Sequence, residues 1–388
     1  MNGFIYDIPT KVYFGENQLG SLSKELEKFG NKVLLVYGGG SIKKTGLYNK
    51  VVNEIGKSKL ELFELSGVEP NPKVDSVRNG AEICKKNGIE VILAVGGGSV
   101  IDASKFIGAA AFYSGDAWDL STGKAKITKC LPIVTVLTLS ATGSEMDCGG
   151  VISNPETNDK LGNGSPLMRP KVSFLDPSNT FTVSPYQTAC GGADILSHII
   201  EEYFSMDNDL YMLDCVMESL MKTVIKYTPV AIAEPNNYEA RANLMWASSW
   251  AINGFIDGGK EQSWTCHPIE HEVSAYYDIT HGLGLAIITP RWMEYVLNEK
   301  TAFKFKQLGC NVFGIDDNLS ESEVAKKSIE LLKEYLYKTC GLKSNFTELG
   351  IDGKNIKIMS EKAARRGTKR GFVNLDAADI ENILNNCL

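Results

Sequence analysis

The chain has 388 residues, which is more than one hydrophobic core usually serves, so we expect two domains. Hydrophobic residues make up 43% of it and charged residues 22%, and both proportions are typical of a globular enzyme. The net charge of -7 argues against nucleic acid or an anionic membrane surface as the main partner.

Short apolar runs alternate with helical patterns between residues 31 and 177. The predicted strands lie in NKVLLVYGGG, KLELFEL, VILAVGGGS, LPIVTVLTL and KVSFLDP. Helical spacing occurs between the first of them, in GLYNKVVNEIGKS and VDSVRNGAEICKKNG. Strands that alternate with amphipathic helices predict βαβ units and a parallel sheet. We therefore expect an α/β, Rossmann-like domain over residues 1–182.

The pattern changes after residue 182. Long periodic helical stretches dominate from Tyr186 onward, such as SHIIEEYFSMDNDLYMLDCVMESLMKTVI and SEVAKKSIELLKEYLYKTCG, and strand-like runs become scarce. We predict an all-helical domain over residues 183–388, with the boundary near residues 180–185.

Two Gly-Gly-Gly-Ser clusters follow predicted strands, at residues 38–41 and 96–99. Glycine after a strand lets the backbone approach a diphosphate, and the next helix offers free N–H groups to it. A tight turn without a ligand would use the same glycines. The clusters occupy successive βαβ units, however, and the hydroxyl-rich TLSATGSE follows a third strand. We therefore predict a dinucleotide site that includes Gly38, Gly39, Ser41, Gly97, Gly98 and Ser99.

The first cluster also bears on which nicotinamide dinucleotide is bound. NAD-selective sites commonly hold the ribose with a carboxylate, which would repel the 2′-phosphate of NADP. Gly39, Gly40 and Ser41 leave room here, and Lys43 and Lys44 follow them. The loop therefore favours NADP(H) over NAD(H), although both lysines could simply be solvated.

Candidate metal ligands are concentrated in one part of the chain, because all four histidines lie between residues 198 and 281. Asp194 and His198 are four residues apart in a helical pattern, so both lie on one helix face and can share an ion. His267 and His271 repeat this spacing, with Pro268 marking a helix start.

His281 precedes a glycine after the turn at residues 278–280 and is expected to open the next helix. One carboxylate and three imidazoles suit Fe²⁺ or Zn²⁺. Five candidates are one more than a four-ligand site with an open position needs, and spacing alone leaves open whether His267 or His271 is the spare.

Nine cysteines are dispersed along the chain without C-x-x-C spacing, which predicts reduced thiols. Neither a signal-peptide core nor an apolar run of membrane-spanning length is present in the sequence. We therefore expect a cytoplasmic protein with no membrane partner.

Together these motifs resemble the iron-containing alcohol dehydrogenase family, and within it the butanol dehydrogenase branch. The likeness rests on GGGSIKKTG, EPNP, GGGSVIDASK, TGSE, GADILSHIIEEY and HPIEHEVSAYYDITHGLGLAIITP, which run from residue 38 to 290 in the family's order. The resemblance implies a dehydroquinate-synthase-like fold, with a dinucleotide-binding α/β domain, an all-helical metal-binding domain and the active site in the cleft between them. It also implies a homodimer.

The resemblance assigns the metal to Asp194, His198, His267 and His281. His271 then becomes a polar residue beside the metal and a candidate catalytic residue in proton relay. The family's cofactor contacts would fall on Asn71, Gly97, Gly98, Ser99, Asp102, Thr138, Thr142 and Lys160. NADP(H) is the usual cofactor in this branch, in agreement with the loop at residues 39–44.

The implied function is the interconversion of primary alcohols and aldehydes, of the butanol and butanal type. The implied cofactors are NADP(H) and Fe²⁺, and Zn²⁺ is the alternative metal. An NAD-preferring enzyme, a dehydroquinate-synthase-type lyase and a non-catalytic binder are the other hypotheses. The lyase would need several basic residues to hold its phosphorylated substrate. The metal motifs are instead accompanied by Trp264, Tyr276 and Tyr277, which suit a short aliphatic aldehyde.

Overall fold

Eight strands lie in the N-terminal half of the chain in this computed structural model, which describes residues 1–206, 210–260, 264–366, 368 and 371–388. They are β1 (Lys11–Phe14), β2 (Lys32–Gly38), β3 (Glu61–Val68), β4 (Val91–Gly96), β5 (Ile133–Leu137), β6 (Gly149–Asn154), β7 (Asp159–Gly164) and β8 (Val172–Leu175). Six of them form a parallel sheet in the order β1-β8-β5-β4-β2-β3, which confirms the predicted parallel sheet.

The remaining two strands, β6 and β7, pair as an antiparallel hairpin that the sequence patterns did not predict. Gly149 and Gly150 in β6 and Gly162 and Gly164 in β7 explain the miss, because glycine has low strand propensity.

Helices cover both faces of the parallel sheet. They are α1 (Leu22–Leu26), α2 (Ser41–Lys44), α3 (Leu47–Ile55), α4 (Val74–Asn87), α5 (Gly98–Ala110) and α6 (Ala117–Ser121). The side chains of successive residues in β2 point to opposite faces of the sheet. Leu34 packs into a core with Ile107 of α5, and Leu35 into a second core with Val51 of α3. The inner strands β2, β4, β5 and β8 are buried on both sides for this reason, and their sequences are largely apolar.

The C-terminal half is helical. Its helices are α7 (Pro185–Tyr203), α8 (Tyr211–Ala233), α9 (Tyr238–Trp250), α10 (Cys266–Tyr277), α11 (His281–Val296), α12 (Ala302–Phe313), α13 (Glu321–Lys333), α14 (Ile356–Arg365) and α15 (Ala377–Asn385). A π-helical turn, Glu334–Thr339, continues α13. The long stretch over residues 197–225 is divided between two helices, since α7 ends at Tyr203 and α8 begins at Tyr211.

Two compact units can be distinguished by their internal contacts. The α/β unit consists of Asp7–Val183 and Asn236–Ser249, and the helical unit of Met1–Tyr6, Ser184–Pro235 and Trp250–Leu388. Most of α9 therefore belongs to the α/β unit, where Trp246 lies edge-on against Phe14.

Where the structure describes the helical unit, no residue is in a strand. Nor is any described helix of the chain long and apolar enough to cross a membrane. All nine cysteines are free thiols, as their spacing predicted.

Candidate metal centre and nucleotide-binding loops

Helix α7 carries the first two candidate ligands. Ser184 caps its start by accepting a hydrogen bond from the backbone N–H of Gln187, and Pro185 occupies the first turn. Asp194 and His198 lie one turn apart, both almost fully buried, and His198 Nε2 is 3.8 Å from Asp194 Oδ1. The i, i+4 spacing thus brings the two side chains together as predicted.

The other imidazoles approach the same oxygen from two further helices. Helix α10 begins at Cys266, so His267 lies in its first turn, and the left-handed conformation of Asp278 ends that helix. Helix α11 then begins at His281, as the sequence predicted. His267 Nε2 lies 3.8 Å and His281 Nε2 lies 3.6 Å from Asp194 Oδ1. One carboxylate oxygen is therefore surrounded by three imidazole nitrogens.

This geometry fits a divalent cation. Separations of 3.6–3.8 Å are too long for hydrogen bonds. They are close to the roughly 3.4 Å expected between two ligands that each lie about 2.1 Å from a tetrahedral ion. Among the described residues, none hydrogen-bonds to Asp194 Oδ1 or His267 Nε2, although both atoms are buried. Buried polar atoms without partners are costly, and a bound cation would satisfy them.

The pKa values of Asp194 and His198 suit a cation site, whereas at His267 a cation would have to displace a proton. Burial raises the pKa of Asp194, but the imidazoles of His198, His281 and His267 outweigh it and lower that pKa to about 2. Burial lowers the pKa of His198 to about 4, so this ligand is neutral at pH 7. Burial acts in the same direction on His267, but Glu201 and Asp194 raise its pKa to about 9.

His271 lies beside this cluster and is only partly buried. Its ring centroid is 6.3 Å from that of His267 and 5.5 Å from that of His281. Ligand atoms of Glu270, His271 and His281 lie within 4.8 Å of one another. The same holds for Asp194, His267 and His281, so the two histidines of α10 belong to different groups.

The surroundings of the cluster are partly aromatic. Trp264 lies edge-on against both His198 and His267, with centroid distances of 5.6 and 4.7 Å. Tyr276 and Tyr277 are engaged elsewhere, since Lys362 lies over the ring of Tyr276 and Asn355 donates a hydrogen bond to Tyr277. Of the three aromatic residues noted in the sequence, Trp264 is the one that contacts the candidate ligands.

Two acidic residues at the centre were not predicted from the sequence. The carboxylate of Glu201 contacts Nδ1 of His267, and that of Glu270 contacts Nδ1 of His281. Both glutamates are buried. The signal that could have found them is their position in the histidine motifs, because Glu201 lies three residues after His198 and Glu270 three after His267.

The candidate nucleotide-binding residues all lie in the α/β unit. After β2 the chain crosses to β3 on one side of it, whereas after β4 it continues to β5 on the other side. The carboxyl ends of β2 and β4 therefore flank a topological switch point, where open α/β sheets bind ligands. Gly38 ends β2, and Gly97 lies between β4 and α5.

The glycines of the second cluster make room for close packing. A Cβ atom on Gly98 would lie 2.3 Å from Oγ1 of Thr142, so these two candidate residues are in contact. Ser99 follows in the first turn of α5, and the backbone N–H of Thr138 bonds to the carbonyl of Gly96. The loops after β4 and β5 thus lie side by side.

The remaining candidates are spread around this edge. Asn71 has a left-handed backbone, with φ +49°, in the loop between β3 and α4, and Lys160 is a buried residue of β7. Asp102 of α5 accepts hydrogen bonds from the Ser144 hydroxyl at 2.5 Å and the Val151 N–H at 2.9 Å. Both of its oxygens are thus already used in joining α5 to its neighbours.

The loop over residues 39–44 places one lysine among aromatic groups. Gly39 precedes Gly40, whose φ is +100°, and Ser41 opens α2. The Lys43 ammonium lies 5.1 Å from the ring centroid of Tyr37 and 4.6 Å from that of Tyr48. The hydroxyls of these two tyrosines donate to Glu64 at 2.8 and 2.5 Å.

Comparisons with known proteins identify the family. The family model described as iron-containing alcohol dehydrogenase matches residues 9–177, and its C-terminal counterpart matches residues 188–388. The chain belongs to the iron-containing alcohol dehydrogenase family. The expected family, butanol dehydrogenase branch and oxidoreductase class are confirmed.

Individual relatives match along nearly the whole chain. NADH-dependent butanol dehydrogenase A of Clostridium acetobutylicum is 50% identical over 385 residues, which is 99% of each chain. NADPH-dependent aldehyde reductase YqhD of Escherichia coli is 35% identical and covers 95% of this chain and 94% of its own. The crystal structure of NADH-dependent butanol dehydrogenase A from Thermotoga maritima superposes with a TM-score of 0.95 at 39% identity, over 100% of this chain and 99% of its own. These matches support the Rossmann-like plus helical fold.

Proposed function

We propose that this alcohol dehydrogenase interconverts primary alcohols and aldehydes of the butanol and butanal type, with a metal held by Asp194, His198, His267 and His281. The observation that carries the proposal is the convergence of three Nε2 atoms on one buried oxygen of Asp194, at 3.6–3.8 Å. The butanol dehydrogenase named above, 50% identical to this chain, supports the substrate class. Fe²⁺ is the proposed metal, and the same ligands would also hold Zn²⁺.

When bound, the metal polarises the substrate oxygen as a Lewis acid and the nicotinamide supplies or accepts the hydride. The buried Asp194, His198 and His267 and the partly buried His281 would hold the charge of the metal at one point. His271 is proposed to move the proton that the substrate oxygen gains or loses, because an imidazole can exchange protons near neutral pH. Trp264 contributes an apolar surface next to His198 and His267.

The nicotinamide preference is a separate proposal. The relatives at 41–50% identity are named NADH-dependent or probable NADH-dependent butanol dehydrogenases, and the aldehyde reductase at 35% is named NADPH-dependent, so the expected preference for NADP(H) is not confirmed. No carboxylate belongs to residues 38–44, so a 2′-phosphate would not be repelled by this loop. We propose that the protein accepts both cofactors and that Lys43 is the cation that meets the 2′-phosphate of NADP(H).

The protein is also proposed to act as a homodimer, and light scattering on the purified protein would test this oligomeric state. Neither nucleic acid nor a membrane is proposed as a partner. A dehydroquinate-synthase-type lyase and a non-catalytic binder are disfavoured by the relatives, which are named as dehydrogenases and reductases.

The test is oxidation of NADH and of NADPH with butanal, using metal-free protein reloaded separately with Fe²⁺ and Zn²⁺. Metal-dependent turnover is expected with both cofactors, and the His267→Ala variant should be inactive under every condition. Circular dichroism of this variant shows whether it is folded. Full activity of folded His267→Ala protein, or no turnover by the wild type with any metal, would refute the proposal.

A further inference from the structure

Two glutamates from different helices each contact one of the imidazoles that face Asp194. Glu201 belongs to α7 and contacts Nδ1 of His267, whereas Glu270 belongs to α10 and contacts Nδ1 of His281. In each histidine the opposite ring nitrogen, Nε2, is the one directed at Asp194. A carboxylate at Nδ1 selects the tautomer with the proton on that nitrogen, which leaves the Nε2 lone pair for a metal.

The two glutamates have different surroundings. Glu201 lies at the start of α10 and accepts backbone hydrogen bonds from Thr265 at 2.5 Å, Cys266 at 2.7 Å and His267 at 3.2 Å. Free N–H groups at a helix start stabilise a carboxylate. Glu201 therefore stabilises the fold of this segment in addition to orienting His267, and its substitution would mix the two effects.

The carboxylate of Glu270, in contrast, is held by side-chain contacts. The hydroxyl of Ser274, one turn later in α10, donates to its carboxylate. Gly284 of α11 makes room for it, because a Cβ atom at that position would lie 2.7 Å from Cγ and 2.8 Å from Oε1 of Glu270. Three residues of α10 and α11 thus surround this carboxylate: His281, Ser274 and Gly284.

We propose that Glu270 is a positioning residue that holds the His281 imidazole with Nε2 toward the metal and thereby raises the affinity of the site for divalent cations. This inference rests on the proposed metal site at Asp194. It explains two features of the motif HPIEHEVSAYYDITHGLG together, namely the glutamate three residues after His267 and the glycine three residues after His281.

Glu272 offers a matched control on the same helix. It is also fully buried, but its carboxylate pairs with Lys362 at 3.4 Å and with Arg366. A Glu272→Gln substitution therefore removes an equally buried charge from α10 without touching a candidate ligand. A change in metal affinity that is specific to Glu270 cannot then be ascribed to lost charge in the helix alone.

The experiment measures the Zn²⁺ dissociation constant of metal-free protein by chelator competition, together with the visible absorption of the Co²⁺-loaded protein. Glu270→Ala should bind Zn²⁺ about 10- to 100-fold more weakly than wild type and have an altered Co²⁺ spectrum. Glu270→Gln keeps an acceptor oxygen, so its loss should be smaller. Glu272→Gln should match the wild-type affinity and spectrum.

If Glu270→Ala does not fold, Ser274→Ala and Gly284→Ala replace it in the test. Both substitutions disturb the position of the Glu270 carboxylate without removing it. Each should weaken Zn²⁺ binding relative to wild type. Wild-type affinity and spectra in all the folded variants would overturn the inference while leaving the proposed function intact. Failure of the wild type to bind either ion would overturn both.

Discussion

The carbonyl oxygen of Cys190 lies directly against Gly282. A Cβ atom at position 282 would be only 2.0 Å from this oxygen, far closer than any side chain could approach. Cys190 is one turn before Asp194 in α7, and Gly282 follows His281 at the start of α11. The contact therefore determines how closely α11 can approach α7, and with it the 3.6 Å separation of His281 Nε2 from Asp194 Oδ1.

A Gly282→Ala substitution should consequently force α7 and α11 apart. Overpacking of this kind costs roughly 1–3 kcal/mol, and we expect a lower Tm together with weaker Zn²⁺ binding. Differential scanning calorimetry and chelator competition would measure the two effects. Gly20→Ala is the control, because nothing lies within 4 Å of a Cβ atom there. Unchanged stability and affinity in Gly282→Ala would contradict the packing argument.

Replacement of His271 should separate catalysis from metal binding. If His271 moves the proton and His267 binds the metal, His271→Ala should lower kcat by about 100-fold while its Zn²⁺ affinity stays at the wild-type level. His267→Ala should lose both properties. Steady-state kinetics and chelator competition on the same preparations test this, and loss of the metal from His271→Ala would show that the two roles are assigned wrongly.

Lys43→Ala should alter cofactor preference. An ammonium that contacts the 2′-phosphate stabilises bound NADPH but not NADH, so kcat/KM for NADPH should fall by about tenfold and that for NADH should stay constant. Lys50→Ala, which removes an exposed lysine of α3, is the control for overall charge. An equal change for both cofactors would mean that Lys43 does not distinguish them.

Glu25 should make stability depend on pH. Burial raises the pKa of this residue, but hydrogen bonds from Lys11, Lys28 and Tyr13 outweigh it and lower the pKa from 4.5 to about 2. A depressed carboxyl pKa stabilises the folded state above pH 4.5, and the contribution is lost as the pH falls from 4.5 toward 2.

The corresponding measurement compares the Tm of wild type and Glu25→Gln across this range. Because both lysines are about half exposed, solvent screens the interaction, and we expect the variant to melt only about 2–4 °C lower at pH 7. The difference should shrink below pH 4.5. A constant difference between pH 7 and pH 3 would exclude the proposed titration of Glu25.

Local patterns were sufficient for much of this protein. Strand residues such as Leu34 and Leu35 alternate between two buried faces, so β2 and β4 appear in the sequence as apolar runs followed by glycine. The pairing of Asp194 with His198 follows from helical periodicity alone. Both features depend on residues close in sequence, where backbone geometry determines which side chains are neighbours.

The positions of His267 and His271 depended on the tertiary structure. They are four residues apart on one helix, so their spacing could not indicate which of the two binds a metal. Because α7 and α10 both pack against α11, His267 Nε2 lies 3.8 Å from Asp194, while His271 groups with Glu270 and His281. Glu201 is 66 residues from His267 in sequence, and only the folded chain brings it to Nδ1. Such contacts join separate helices, so the periodicity of one sequence segment cannot predict them.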